Sequence, residues 1–399
     1  MRTPVVLVCG QGDADGVAGT LMKSPGTAVI GHEFDGHVVR RWVSILRHGE
    51  LSTSEVALEL TKGCVSCTIR NDLLVLLRRI HRRDDVERIV VLLAPWMEPE
   101  PVCYAISHVR VRVGAGYLDG PAARDVEIRA VVACVDADLW LTQAIGDEQL
   151  DDGRTVAQVV VGQAEFADAV VLTEPERTAL AVLKRLAPRS RITVGTRSLQ
   201  MALDHLDPQA RRGADADPHE PLLAGQPPLT PEGEVTLVEF SADRPFHPLR
   251  LHSAIDSLLD GVVRARGRIW LASKPDNVVW IESAGGGLRV ANAGTWLAAM
   301  NSSDLAYADH ERRAIASAHW DHDHGDRHVS MTILVCGAQP GVIVDALQKA
   351  LLTDDEFSLP EEWSRYDDPF GDWHEDPCDA TSESLGGISV RGAHEGDAT

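Results

Sequence analysis

The chain has 399 residues, 44% of them hydrophobic, and a formal charge of −22. That is enough for two or three globular domains, and it excludes a disordered chain. No apolar run approaches the roughly 20 residues of a bilayer span. The N-terminus "MRTPVVLVCGQG" enters a strand pattern with no leader signature, so the expectation is a cytoplasmic protein with no membrane partner. So acidic a surface is a poor ligand for a phosphate backbone and suits a basic protein.

Taken in chain order, the runs 4–10, 26–34, 87–95, 128–137 and 167–174 are short, apolar and rich in valine, the signature of buried parallel strands. Helical patterns are expected between them, at 53–63 ("TSEVALELTKG") and 71–83 ("NDLLVLLRRIHRR"). Regular βα alternation predicts a doubly wound, mostly parallel α/β domain over residues 1–205. A Pro/Gly/Asp-rich linker follows at 206–233, then a smaller α+β domain at 234–357. Within the latter, "SAGGGLRV" (283–290) lacks a strand–turn–helix context and is expected as a turn between strands. Residues 358–399 form an acidic tail, expected to be extended; from 354 onward there are 14 acidic side chains against two arginines. Such a tail is either simply solvated or binds a partner.

Of seven cysteines, only Cys64 and Cys67 in "KGCVSCTIRNDL" form a close pair. Several others lie inside β-type runs and are expected as small buried hydrophobes in a reducing compartment. A C-x-x-C pair can clip a metal, cycle as a dithiol, or pack quietly at a helix entry. The segment 319–328, "HWDHDHGDRH", adds four histidines with Asp321 and Asp323 among them. It is either a zinc or nickel ligand set or a solvated turn. Asp136, at a strand end, is expected to cap the local backbone.

"KGCVSCTIRNDLL", "RPFHPLRL" (244–251), "GRIWLAS" (267–273) and "GDRH" (325–328) occur in an order that resembles the CobW-like P-loop GTPases of the CobW/HypB/UreG type. The resemblance spans both domains and implies a P-loop-type fold with a CobW-like C-terminal domain. It also implies a metal motif, with zinc as the candidate cofactor. In the family that motif is C-x-C-C; here the middle thiol is Ser66. Glu33 matches the family's acidic neighbour of the cysteines, which makes Cys64, Cys67, Glu33 and His32 the candidate metal ligands.

The nucleotide motifs depart from the family. A P-loop needs backbone amides around the phosphates, then Lys and Ser/Thr. Gly10, Gly12, Gly16, Gly19 and Thr20 mark a vestigial loop, but Val17 and Ala18 stand where Lys and Ser/Thr belong. Asp13 and Asp15 add negative charge, each costing on the order of 1–4 kcal/mol against a phosphate about 4 Å away. Leu92 and Pro95 replace the second strand-end motif, and residues 173–176 (Thr-Glu-Pro-Glu) replace the guanine-reading one. GTP is therefore not an expected cofactor, and the chain leans away from catalysis.

Arg70, Arg78, Arg79, Arg82 and Arg83 stud one helical run. They are a candidate basic contact surface or an ordinary cationic helix end. Wording such as "FDGHVVRR", "LVLLRRIHRRD" and "DPFGDWHEDPC" resembles an actinobacterial branch of the family. That implies a non-catalytic adaptor of zinc starvation, recruiting a ribosome hibernation factor to the ribosomal small subunit through protein–protein contacts. The alternative is a zinc metallochaperone with vestigial nucleotide binding.

Overall fold

The computed structural model describes residues 1–47, 50–61, 63–215 and 217–371. The first sheet holds β1 (Thr3–Gly10), β2 (Thr27–Phe34), β3 (Val39–Arg47), β4 (Glu50–Leu58), β5 (Arg88–Leu92), β6 (Val126–Val135), β7 (Ala169–Leu172) and β8 (Arg191–Val194). Their spatial order is β4-β3-β2-β5-β1-β6-β7-β8. β2, β5, β1, β6, β7 and β8 run parallel; β3 pairs antiparallel with β2, and β4 antiparallel with β3. All five expected strands are present.

The helices of this domain are α1 (Ala14–Met22), α2 (Val65–Ile80), α3 (Pro99–His108), α4 (Trp140–Ala144), α5 (Val156–Phe166), α6 (Arg177–Leu186) and α7 (Leu199–Asp204). Alternate residues of the central strands face opposite layers. Val5, Leu7, Ala28 and Ile30 pack under α2, α3, α5 and α6. Val6, Val8 and Val29 pack under α1 and α7. Burial on both faces explains why these strands are continuously apolar.

Two expected elements are corrected. The helix expected at 53–63 is β4, a strand with eight of its nine residues exposed. Pairing with β3 makes it a strand: the register runs unbroken from Val39↔Leu58 to Arg47↔Glu50, a partner that no local periodicity reveals. The helix expected at 71–83 starts earlier, at Val65, because Cys64 caps it, and it ends at Ile80.

The second sheet is antiparallel, in the order β12-β11-β10-β13-β9: β9 (Val235–Ala242), β10 (Val262–Ile269), β11 (Asn277–Ala284), β12 (Gly287–Thr295) and β13 (Val329–Cys336). Helix α8 (Pro248–Ala254) lies between β9 and β10, and β11 and β12 form the hairpin expected around the glycine run. The tip of that hairpin docks on the first domain: the Gly286 N–H donates to Gly146 O at 2.9 Å. A Cβ on Gly285 would lie 2.4 Å from that same carbonyl oxygen. Beneath the tip, Glu165 of α5 sits between Arg264 (2.9 Å) and Arg266 (2.6 Å) of β10. Val235, Val263, Ala284 and Leu334 join the first domain's core.

The expected extended tail is corrected in its first part. Trp363 is buried, Tyr366 and Phe370 pack on the second core, and Asp368 pairs with Lys274. Residues 372–399 lie outside the described residues.

Candidate metal centre

Cys64 and Cys67 occupy the first turn of α2. Gly63 supplies the positive φ (75°) that turns the chain into the helix. Cys64 is the N-cap, and its Sγ accepts the Cys67 N–H at 3.1 Å. Thr68 braces the loop: its hydroxyl donates to Cys64 O (2.7 Å) and accepts the Thr61 N–H (2.8 Å). Both thiols are half-buried, and Arg70 Nη2 lies 4.0 Å from Cys67 Sγ.

The two other candidate ligands are not brought to this pair. His32 is buried, and its Nε2 lies 2.8 Å from Asp72 Oδ2 of α2. Asp72 Oδ1 accepts from Arg41 Nη1 at 2.8 Å, and Arg41 lies directly opposite His32 across β2 and β3. His32 is thus committed to a His–Asp–Arg cluster that pins α2 to the sheet. Glu33, the next residue along β2, is exposed on the other face, because adjacent strand side chains alternate. Among the described residues no three His, Cys, Asp or Glu side chains converge on a metal position. Two thiols lie on one turn, and the described residues supply no further ligand for the remaining tetrahedral positions.

Asp72, Thr68 and Arg41 were not among the sequence candidates. The signal was there: Thr68 and Asp72 are four residues apart inside the cysteine motif, hence on one helical face.

The nucleotide loop is closed by its own backbone and by Asp13. Gly10 has φ 115°, and a Cβ there would lie 2.1 Å from Cys134 O. A Cβ on Gly12 would meet Val135 at 2.7 Å, so both glycines serve close packing on β6. Asp13 caps α1, accepting the Gly16 N–H at 2.9 Å. Its carboxylate fills the helix N-terminus, the position an anion would take. Val17 and Ala18 are buried against the sheet, so the place of the missing lysine is a core position. Gly19 and Thr20 lie farther along α1, beyond its first turn.

The basic surface is smaller than expected. Arg78 is buried, donating to Asp125 (2.7 Å) and Gly120 O (3.2 Å). Arg82 and Arg83 lie past the end of α2; Arg82 stacks over Tyr117 at 3.7 Å and Arg83 pairs with Asp85. Arg70 sits at the cysteines, which leaves Arg79 exposed on the helix.

The histidine-rich segment also disperses. Asp321 and Gly325 close a tight turn, and exposed His322 pairs with Asp323. His324 rests between Trp270 and Phe357. His319 stacks on His328 at 4.3 Å. Burial holds His328 near a pKa of about 4, while its Nδ1–H donates to Asp326 O. Asp136 caps as expected, accepting the Asp138 and Leu139 N–H groups. No described helix is long and apolar enough to cross a membrane.

Comparison with known proteins places this geometry. Residues 26–191 match the CobW/HypB/UreG nucleotide-binding domain, and 235–351 match the cobalamin synthesis protein CobW C-terminal domain. The first match begins after β1, the degenerate loop and α1. Zinc chaperone Rv0106 of Mycobacterium tuberculosis is 63% identical over 390 residues, covering 98% of each chain. Zinc-regulated GTPase metalloprotein activator 1 of Dictyostelium discoideum is 24% identical, covering 79% of this chain and 70% of its own. Among solved structures, the Zn(II)-bound YjiA GTPase from E. coli is similar at 14% identity, with a TM-score of 0.38 over 88% of this chain and 99% of that one. On the two domain matches and the mycobacterial identity, the chain belongs to the CobW/HypB/UreG family, with a CobW C-terminal domain.

Proposed function

We propose that this protein handles zinc as cargo, holding it on Cys64 and Cys67 and passing it on without a P-loop GTP cycle. The observation that carries this reading is the cysteine turn itself. It offers two half-buried thiols at a helix N-terminus, beside Arg70, with no third or fourth ligand among the described residues. A structural zinc site closes its tetrahedron with four protein ligands, whereas a two-thiolate site leaves positions for water or a receiving protein. Relatives named for zinc chaperoning and zinc-regulated metalloprotein activation support the same assignment. Asp13 in the anion position, with Val17 and Ala18 in the core, supports independence from a phosphate-driven step.

The test is a zinc titration of the whole chain against a chromophoric chelator. The expected result is about one competing zinc per chain, lost in Cys64→Ala and in Cys67→Ala. Cys64→Ser serves as the folding control, because serine is a good N-cap. Unchanged zinc uptake in a Cys64→Ala/Cys67→Ala variant would move the site elsewhere. No uptake by the wild type would end the zinc-cargo reading.

A second reading, recruitment of a ribosome hibernation factor, is favoured by the same closed loop: a scaffold without a phosphate cycle is suited to a protein surface role. Tagged pulldown from zinc-starved and zinc-replete cells separates the two. Ribosomal proteins recovered under starvation favour the adaptor, and zinc enzymes favour cargo transfer.

A further inference from the structure

Strand β4 ends the eight-stranded sheet, with no further strand beyond it among the described residues. An unpaired strand edge is a template for another strand, and proteins blunt such edges with short length, lysine, proline or a bulge. The opposite edge, β8, is only four residues long and opens on Arg191. Of the devices that blunt an edge, β4 carries only the charges of Glu50 and Glu55. It runs nine residues, "ELSTSEVAL", without lysine or proline, and its register with β3 has no bulge. At about 3.4 Å per residue the free edge is about 30 Å long. Leu51 (57% exposed) and Val56 (40%) stand on it in solvent, with Phe34 (42%) at the end of β2 two strands away.

We infer that β4 pairs with the β4 of a second copy of this chain, joining two sheets across a two-fold axis at Ser54. The occupant follows from the strand's own charge pattern. A two-fold axis perpendicular to the sheet keeps each side chain on its face, so only partners whose numbers differ by an even count lie opposite each other. Centred on Ser54, all nine residues pair: Glu50 with Leu58, Leu51 with Ala57, Ser52 with Val56, and Thr53 with Glu55. Each glutamate faces an uncharged side chain and each exposed apolar residue gains a small or aliphatic neighbour. Centring on Glu55 instead would set two carboxylates against each other, which is destabilising. The strand thus complements itself in the one register that uses its full length. β4 also leads within six residues into Cys64, so the pairing would stiffen the approach to the cysteine turn.

The test is light scattering of the full chain over a range of concentrations, with hydrogen exchange on β4. The expected mass is twice the 43.3 kDa of the chain, with β4 amides more protected at high concentration. Ser54→Lys, an exposed change, sets two lysines across the axis and should give monomers. Mixing Ser54→Lys with Ser54→Glu chains should restore dimers, which a folding defect could not do. A wild type that stays monomeric with fast-exchanging β4 amides overturns the inference. So does β4 protection independent of concentration, which would mean that residues 372–399 cover the edge. Dimers of the Ser54→Lys chain alone would place the interface elsewhere.

Discussion

Replacing Asp72 by alanine should destabilise the region around the cysteine turn by about 3 kcal/mol. One carboxylate holds both His32 and Arg41, each at 2.8 Å, with side-chain exposures of 15%, 3% and 16% respectively. Breaking a buried ion pair by removing one partner costs about 3–5 kcal/mol, because the survivor stays desolvated. Here Arg41 keeps enough contact with water to be partly rehydrated, which lowers that part of the cost. His32 does not, and a buried polar group left without a partner costs about 1–3 kcal/mol by itself. The lower end of the ion-pair range is therefore the expected loss. Asp72→Asn keeps the shape and one acceptor and should lose roughly half as much. The assay is urea unfolding by far-UV circular dichroism, with hydrogen exchange on α2 and the β2–β3 pair to locate the loss. A second background sharpens it: with Arg41 and His32 both replaced by leucine, Asp72→Ala should cost far less, since the pair it served is gone. A loss under about 0.5 kcal/mol in the wild-type background would refute the claim that this cluster anchors α2. An equal loss in both backgrounds would refute it too.

Two further outcomes follow from the same geometry. Asp13→Ala removes the α1 cap and should cost about 1 kcal/mol of stability, yet give no magnesium-dependent GTP turnover, because Val17 still occupies the lysine's place; phosphate release above background in this variant would show that the loop can open for nucleotide. Burial pushes the Glu165 carboxyl up, but Arg264 and Arg266 outweigh it and hold it below its usual value of 4.5. Its contribution is therefore present above that value and lost as pH falls through the lower folded one. Glu165→Gln should cost about 2 kcal/mol at neutral pH and flatten the acid limb of the stability curve below about pH 4.5; a parallel acid limb in wild type and variant would show that Glu165 titrates alike in the folded and unfolded chain and gains nothing from Arg264 and Arg266.

Much of this protein was legible from its residues alone. The central strands announce themselves because burial on both faces demands unbroken valine-rich runs, as at 4–10 and 128–137. The cysteine turn was legible because thiol spacing and a glycine are local facts. So was the departure from the P-loop pattern, since Val17 and Ala18 stand where a lysine and a magnesium-binding hydroxyl belong. What depended on neighbours distant in sequence was not legible. β4 carries a pattern that also suits a helix, and only pairing with β3 makes it a strand. His32 and Glu33 look like two ligands side by side, but an extended backbone points them to opposite faces and Asp72, forty residues on, claims the histidine. Arg78 looks like a surface cation until Asp125 closes over it. Local chemistry determined which groups were available; tertiary packing decided which of them remained free, because a buried polar group must find a partner wherever the fold brings one.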